Sequence, residues 1–349
     1  MTALGWSPSR TEEFEPYAAD GLVPARIAAQ HRGAYVVYAE SGELRAEVAG
    51  RLRHDAVTLA DFPAVGDWVA LDARTGADAA LIHAVLSRAT SFSRMVAGEE
   101  EAEQVVAANV DVLLLVSAFG EDLNVRRIER YLAAGWESGA QPVIVLNKSD
   151  LSDDLAVHVA EVEAIAFGVP VHVVSCLDGS GISELAAYLE GEKTVALLGS
   201  SGVGKSTLLN RLLGWERQEV GDLRADGKGR HTTTHRELVP LPGGGLLLDT
   251  PGMRELGLWE AGAGVGETFG DVAELAAGCR FADCAHASEP GCAVRAALAD
   301  GSLAPERLES YRKLQRELRH LELKADPRAR SEARRARRRF ARSLRNSAY

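Results

Sequence analysis

The sequence lacks the features that mark a membrane-spanning or exported protein. It has no run of about 18 apolar residues without a charge, so no transmembrane helix is expected. Its first residues contain no basic segment leading into an apolar stretch, and Glu12, Glu13 and Glu15 follow early, unlike a signal peptide. Internal repeats are also absent. We therefore expect a cytoplasmic protein with no membrane partner, built from two or three domains in 349 residues.

Cysteine is scarce, and its placement is informative. Three of the four cysteines, Cys279, Cys284 and Cys292, lie close together, with His286 between them. In a cytosolic chain such a cluster indicates metal binding rather than disulfides. Three thiolates and one imidazole fill a tetrahedral site and leave no position for water, so we predict one structural Zn²⁺. The alternative is a group of unrelated buried cysteines.

Positive charge is also scarce over most of the chain, whose net charge is −11. The segment from Tyr311 to Tyr349 nevertheless carries 14 lysines and arginines against 4 acidic residues, a balance of +10, so the remainder carries about −21. An acidic body with a basic tail indicates a polyanionic partner. A charge run can also be only a solvated face. We favour contact with RNA phosphates for the arginine-rich tail, residues 327–349.

Hydrophobic patterning divides the chain further. Residues 1–20 show no periodicity and are predicted to be a flexible lead-in. Residues 21–95 contain short strands between turns, which fits an OB-fold barrel or a β-domain without a ligand. Residues 100–260 alternate apolar runs with helical patterns, as in a doubly wound α/β domain. Residues 261–326 hold the cysteine cluster, and their start, Ala261 to Gly266, is predicted to be a linker or a mobile segment.

A phosphate-binding loop is the most specific motif of the α/β region. The pattern G-x-x-x-x-G-K-[ST] is matched between an apolar strand and a helix that starts near Thr207. Lys205 is expected to reach the β- and γ-phosphates, and the Ser206 hydroxyl to bind Mg²⁺. Backbone N–H groups of the loop would bind phosphate oxygens. The matching residues are Gly199, Ser200, Ser201, Gly202, Val203, Gly204, Lys205 and Ser206.

A second motif selects the base. Asn147, Lys148, Ser149 and Asp150 follow an apolar strand and match N-K-x-D. The Asp150 carboxylate can accept both the N1–H and the N2–H₂ of guanine, whereas adenine would leave it unpaired. The same four residues could instead cap a helix.

A third segment, Ser175-Cys176-Leu177, follows the next strand and resembles the loop whose backbone N–H contacts guanine O6. Cys176 is predicted to be a small packed residue rather than a reactive thiol.

The γ-phosphate sensors are predicted downstream. Asp249-Thr250-Pro251-Gly252 matches D-x-x-G, with Asp249 in the Mg²⁺ shell and the Gly252 N–H on the γ-phosphate. In the preceding polar segment either Thr233 or Thr234 completes the Mg²⁺ coordination. Met253 occupies the position where many GTPases place a water-orienting glutamine. Either intrinsic hydrolysis is slow or another residue such as His231 orients the water; His231 could also be a solvated loop residue.

The order of these motifs is unusual, because the guanine motifs precede the phosphate motifs. This permuted order, the phrase Gly229-Arg230-His231-Thr232-Thr233-Thr234 and the cysteine cluster together resemble the RsgA (YjeQ) family of GTPases. The segment Phe62 to Val69 also resembles that family's N-terminal domain. The resemblance covers about residues 21–320 and excludes the tail.

The resemblance implies a multidomain α/β protein with an OB-fold barrel, a circularly permuted P-loop GTPase domain and a C-terminal helical zinc-binding domain. It also implies a monomeric enzyme, stimulated by the small (30S) ribosomal subunit, that binds 16S rRNA and converts GTP to GDP and phosphate in late 30S maturation. Two alternatives stay open: a slow GTP-binding switch that acts as an assembly placeholder, favoured by Met253, and a P-loop ATPase or kinase, disfavoured by Asp150.

Overall fold

Two units make up the chain in the computed structural model, Met1–Gly257 and Leu258–Tyr349. The structure describes residues 1–31, 33–73, 79–96, 102–212, 237–241, 244–249 and 262–325. The predicted ranges 21–95 and 100–260 fall almost wholly within the first unit, so a domain boundary between them stays a prediction.

A closed five-stranded barrel opens the first unit. Its strands are β1 (Val23–His31), β2 (Ala34–Ala39), β3 (Gly42–Val48), β4 (Trp68–Asp72) and β5 (Ala80–Val85). They pair in the order β1-β2-β3-β5-β4, and β4 pairs back with β1. Helix α2 (Gly50–Asp55) connects β3 to β4. This strand order and the α2 connection confirm the predicted OB-fold.

The expected flexible lead-in over residues 1–20 is wrong. Residues Pro8–Ala19 form helix α1, which begins with a proline at its first turn. Phe14 is buried, and the Trp6 ring lies 4.9 Å from the Trp68 ring at an angle of 77°. Aromatic contacts with the barrel therefore order this segment, and no helical period of aliphatic residues was present to reveal it.

A hairpin of β6 (Ser91–Val96) and β7 (Ala102–Ala108) leads into a larger sheet. Its strands are β8 (Val112–Ala118), β9 (Gln141–Asn147), β10 (Val171–Val173), β11 (Thr194–Leu198), β12 (Glu237–Pro240) and β13 (Leu246–Asp249). They follow the order β10-β9-β8-β11-β13-β12, in which β12 alone is antiparallel to its neighbour among these described strands. β12 also pairs with β1 at Glu237 and Ala29, which joins sheet and barrel.

Alternating side chains of the central strands fill two separate cores, one on each face of the sheet. Leu113 and Leu115 of β8 belong to the core that includes Ile128 of helix α3 (Val125–Ser138), whereas Leu114 belongs to the core that includes Leu208 of helix α6 (Lys205–Leu212). Strands that are buried on both faces are apolar throughout, as the sequence indicated. The helices are α3 (Val125–Ser138), α4 (Leu155–Glu163), α5 (Ile182–Ala186) and α6 (Lys205–Leu212).

The second unit is helical in its described part. It comprises α7 (Gly262–Thr268), α8 (Gly270–Ala277), α9 (Ala293–Asp300) and α10 (Pro305–Ala325). The linker expected at Ala261 to Gly266 is therefore wrong, since α7 occupies most of it. The buried Arg307 forms an ion pair with Asp271 at 2.9 Å and lies 4.2 Å from the Phe269 ring. None of the described helices has the length and apolar character needed to span a membrane.

One buried arginine connects the parts of the first unit. Arg26 of β1 is 2% exposed and donates to the carbonyl of Gly66 at 3.2 Å, the carbonyl of Asn109 at 3.0 Å and the hydroxyl of Thr194 at 2.8 Å. It also donates to the Leu4 carbonyl, and its guanidinium carbon lies 5.2 Å from the Trp68 ring. Burial lowers the pKa of Arg26 to about 10, so it stays charged at neutral pH.

We expect Arg26→Met to lower the free energy of unfolding by about 3 kcal/mol, because it leaves several buried acceptors without a donor. Urea unfolding followed by tryptophan fluorescence measures this change. Arg45→Met is the matched control, since Arg45 is mostly exposed on the same barrel and should change stability by less than about 0.5 kcal/mol. Equal losses in the two variants would show that Arg26 has no such role.

Candidate functional site

The phosphate-binding loop lies between β11 and α6, as the sequence predicted. Gly199 starts the loop against the Val116 carbonyl, where a Cβ would lie 2.2 Å from the oxygen. Lys205 is the first residue of α6, and its Nζ donates to the Gly199 carbonyl at 2.7 Å and to the Ser200 carbonyl. The ammonium group therefore lies over the loop. Four residues of the loop and of the first turn of α6 are exposed to solvent: Ser201, Gly202, Ser206 and Thr207.

The N-K-S-D segment lies at the carboxyl end of β9, beside the phosphate-binding loop. The Asn147 side chain is 1% exposed; its Nδ2 donates to the Val203 carbonyl at 2.8 Å, and its Oδ1 accepts the Cys176 N–H at 3.1 Å. Asn147 therefore joins the phosphate loop to the Ser175-Cys176-Leu177 segment. Lys148 has a left-handed backbone, with φ of 63°.

The Asp150 carboxylate, which is expected to bind guanine, accepts a hydrogen bond from the protein and is still exposed to solvent. Asp150 is exposed, and its Oδ1 accepts a hydrogen bond from the buried Ser175 hydroxyl at 2.6 Å. Cys176 is buried, as expected for a packed residue, and burial raises the pKa of its thiol. The N-K-S-D segment and the Ser175-Cys176-Leu177 segment thus meet in one place although 25 residues separate Asp150 from Ser175.

The remaining sensor residues are only partly described. Asp249 ends β13, which runs parallel to β11, so its backbone lies at the same edge of the sheet as the phosphate loop. Gly252, His231, Thr233 and Thr234 lie outside the described residues.

Two side chains that sequence analysis missed also contact these loops. Asp122 accepts a hydrogen bond from the Ser200 hydroxyl at 2.7 Å and pairs with Arg127 at 2.8 Å. Arg211 of α6 donates to the carbonyls of Cys176 and Leu177. Neither belongs to a motif, and only the folded chain brings them to the site.

The predicted metal ligands converge in the second unit. The ligand atoms of Cys279, Cys284, His286 and Cys292 all lie within 4.8 Å of one another. The Cys279 and Cys292 sulfurs are 3.8 Å apart, and His286 Nδ1 lies 3.6 Å and 3.5 Å from them. A tetrahedral Zn²⁺ separates two sulfurs by about 3.8 Å and sulfur from nitrogen by about 3.5 Å. The group could therefore bind zinc.

The backbone around this group is supported independently of a metal. The Glu289 carboxylate accepts N–H groups of Ala285, Ala287 and Ser288, on either side of His286, which has φ of 58°. Arg312 of α10 donates to the His286 carbonyl at 2.6 Å. Backbone N–H groups of Val294 and Ala293 lower the pKa of the Cys279 thiol, whereas desolvation raises the pKa of the Cys284 thiol to about 11.

Comparison with known proteins assigns these features to one family. A family model described as RsgA GTPase matches residues 85–259. A protein of Opitutus terrae named small ribosomal subunit biogenesis GTPase RsgA is 53% identical, and the alignment covers 94% of this chain and 92% of that protein. A Streptomyces coelicolor protein of the same name is 48% identical over 96% of this chain and 91% of its own length.

Solved structures agree with the sequence relatives. The crystal structure of YjeQ from Thermotoga maritima matches 85% of this chain and 98% of that one, with a TM-score of 0.64 and 28% identity. YloQ, described as a circularly permuted GTPase, matches with a TM-score of 0.59 and 26% identity over 86% of this chain and 96% of that one. With its barrel, its permuted motifs and its Cys₃His group, this chain belongs to the RsgA GTPase family, and it is a GTP hydrolase.

Proposed function

We propose that this GTPase binds GTP between its phosphate loop and its guanine motifs and hydrolyses it on the small ribosomal subunit, in late subunit maturation. The observation that carries the proposal is the junction at Asn147, which joins both halves of a nucleotide site. The relatives' names support the ribosomal partner. The acidic body with its arginine-rich tail supports contact with 16S rRNA.

Each motif residue has a proposed task at the nucleotide. Asn147 and Asp150 contact the guanine edge, and the Lys148 stem covers the ring. Lys205 neutralises the β- and γ-phosphates while loop N–H groups from residues 199–207 bind their oxygens. The fold suits Mg²⁺ here, because the exposed hydroxyl of Ser206 lies at the edge of the sheet where β13 ends, and the sequence supplies a hard carboxylate donor at that end, Asp249. Bound Mg²⁺ would stabilise the charge that develops on the phosphates.

The predicted γ-phosphate sensors and the polar segment before them complete the proposal. Gly252 contacts the γ-phosphate, Thr233 or Thr234 completes the Mg²⁺ shell, and His231 orients the attacking water in place of a glutamine. Met253 favours the second candidate, a slow GTP-binding switch that marks an assembly stage. In either case the protein works as a cytoplasmic monomer, with the zinc group stabilising its second unit.

The first experiment measures GTP turnover by the full chain alone, with 30S subunits and with 50S subunits. We expect strong stimulation by 30S subunits only, because a ribosomal partner would complete a site that lacks its own glutamine. Equal slow turnover in all three reactions would contradict the ribosomal role and leave a slow switch acting elsewhere.

A chain that ends at Asp326 tests the tail in the same assay. We expect its affinity for 30S subunits to fall, with a weaker dependence on salt, because fewer counterions are released when fewer arginines bind phosphates. An unchanged affinity at moderate salt would show that the tail does not contact rRNA.

Asp150→Asn should exchange guanine for xanthine specificity. The amide can donate to the C2 carbonyl of xanthine, but it cannot accept both guanine donors, so we expect GDP affinity to fall about 100-fold while XDP affinity rises. Calorimetry with both nucleotides measures the exchange. The exposed Asp153, changed to Asn, is the charge-matched control and should keep GDP specificity.

The full chain should contain one zinc per molecule by elemental analysis. Cys284→Ser should lose most of that zinc and lower the melting temperature, because the metal contributes folding free energy to the second unit. Cys176→Ser is the matched control and should retain full zinc content, since Cys176 lies in the first unit. Zinc content that stays complete in Cys284→Ser would exclude the predicted site.

A further inference from the structure

Arg211 makes a connection within the nucleotide site that no motif requires. It lies on the last turn of α6, whose first residue is Lys205. Its Nε donates to the Cys176 carbonyl at 3.1 Å and its Nη2 to the Leu177 carbonyl at 2.8 Å. One planar guanidinium therefore holds two consecutive carbonyls, a geometry that lysine cannot reproduce.

The segment that Arg211 holds also makes hydrogen bonds within itself. The Ser175 hydroxyl oxygen accepts the N–H groups of Leu177 at 3.2 Å and Asp178 at 3.4 Å, and the Ser175 carbonyl accepts the Gly179 N–H. These contacts close the loop upon itself and onto Asp150. The Leu177 side chain is 75% exposed and gains no support from the core. Arg211 is thus the bond from the phosphate-binding helix to this loop.

Helix α6 carries both the phosphate-binding lysine and this bond. Because Lys205 and Arg211 lie on one helix of eight residues, this helix links the phosphate-binding end to the loop of Cys176 and Leu177. Asn147 makes the corresponding bond between the phosphate loop and the Cys176 N–H from the other side. The loop that carries Cys176 and Leu177 is therefore held at both of its flanks.

We propose that Arg211 is a positioning residue for guanine recognition: it places the Cys176 backbone and the Leu177 side chain against the base. This inference rests on the proposed role of the N-K-S-D and Ser175-Cys176-Leu177 segments in reading guanine. Arg211 itself does not touch the nucleotide. Its loss should weaken the contribution of the base to binding and leave the contribution of the phosphates intact.

The test measures the dissociation constants of GDP, ADP and inorganic pyrophosphate for the full chain with Mg²⁺. Arg211→Met keeps the apolar stem and removes both hydrogen bonds, so GDP affinity should fall about tenfold while ADP and pyrophosphate affinities stay unchanged. Arg211→Lys should recover part of the loss, since one donor can reach one carbonyl. Arg51→Met, at an exposed position of helix α2, is the matched control and should change none of the constants.

Each outcome is decisive. If Arg211→Met lowered the affinities for GDP and pyrophosphate by the same factor, Arg211 would only stabilise the fold and the proposal would be overturned. The same conclusion would follow if the variant were partly unfolded at the assay temperature, as shown by a lower melting temperature, and this unfolded fraction explained the loss of GDP affinity. An unchanged GDP constant would overturn it as well. If the wild-type chain itself failed to prefer GDP over ADP, the guanine assignment would fail rather than the role of Arg211.

Discussion

The buried guanidinium of Arg26 is the interaction on which the arrangement of the first unit depends. A charge removed from water is tolerated only where several acceptors surround it, and here these acceptors come from the N-terminal segment, the barrel and the α/β sheet. Any displacement of the barrel relative to the sheet would leave that charge without partners. The pairing of β1 with β12 adds a backbone connection at the same junction. The barrel is thereby fixed to the strands that carry the nucleotide site.

Within the sheet, parallel strands bring their carboxyl ends to one edge, and this explains how a permuted sequence still builds a GTP site. The site needs β8, β9, β11 and β13 as neighbours, and their order along the chain does not affect that packing. Side chains then join segments that are distant in sequence. Asn147 bonds to Val203 and Cys176, and Ser200 bonds to Asp122. The permutation changed the connections between strands and preserved their neighbours.

The sequence predicted those parts of the molecule whose chemistry requires fixed spacing. The phosphate loop, the N-K-S-D segment and the Cys₃His cluster each combine residue types that few other structures need, and the apolar runs of β8 and β9 identified the buried sheet. Helices α1 and α7 were missed, because aromatic contacts order the first and the second is rich in glycine and alanine. Arg26 and Arg211 could not be recognised either, since their partners lie far away in sequence.

The permutation also alters the order in which the sheet is completed as the chain is made. Strand β8 is central, but its neighbour β11 begins at Thr194, after β9 and β10 have already been synthesised. In a nascent chain synthesised only as far as β10, one edge of β8 is therefore unpaired. At that stage β1 also lacks its pairing with β12, which has not yet been synthesised. Exposed strand edges pair readily with other chains. Synthesis of this protein thus includes a stage in which one edge of the apolar strand β8 can pair with other chains and aggregate. That stage ends only when β11, the strand that precedes the phosphate loop, has been synthesised and pairs with β8.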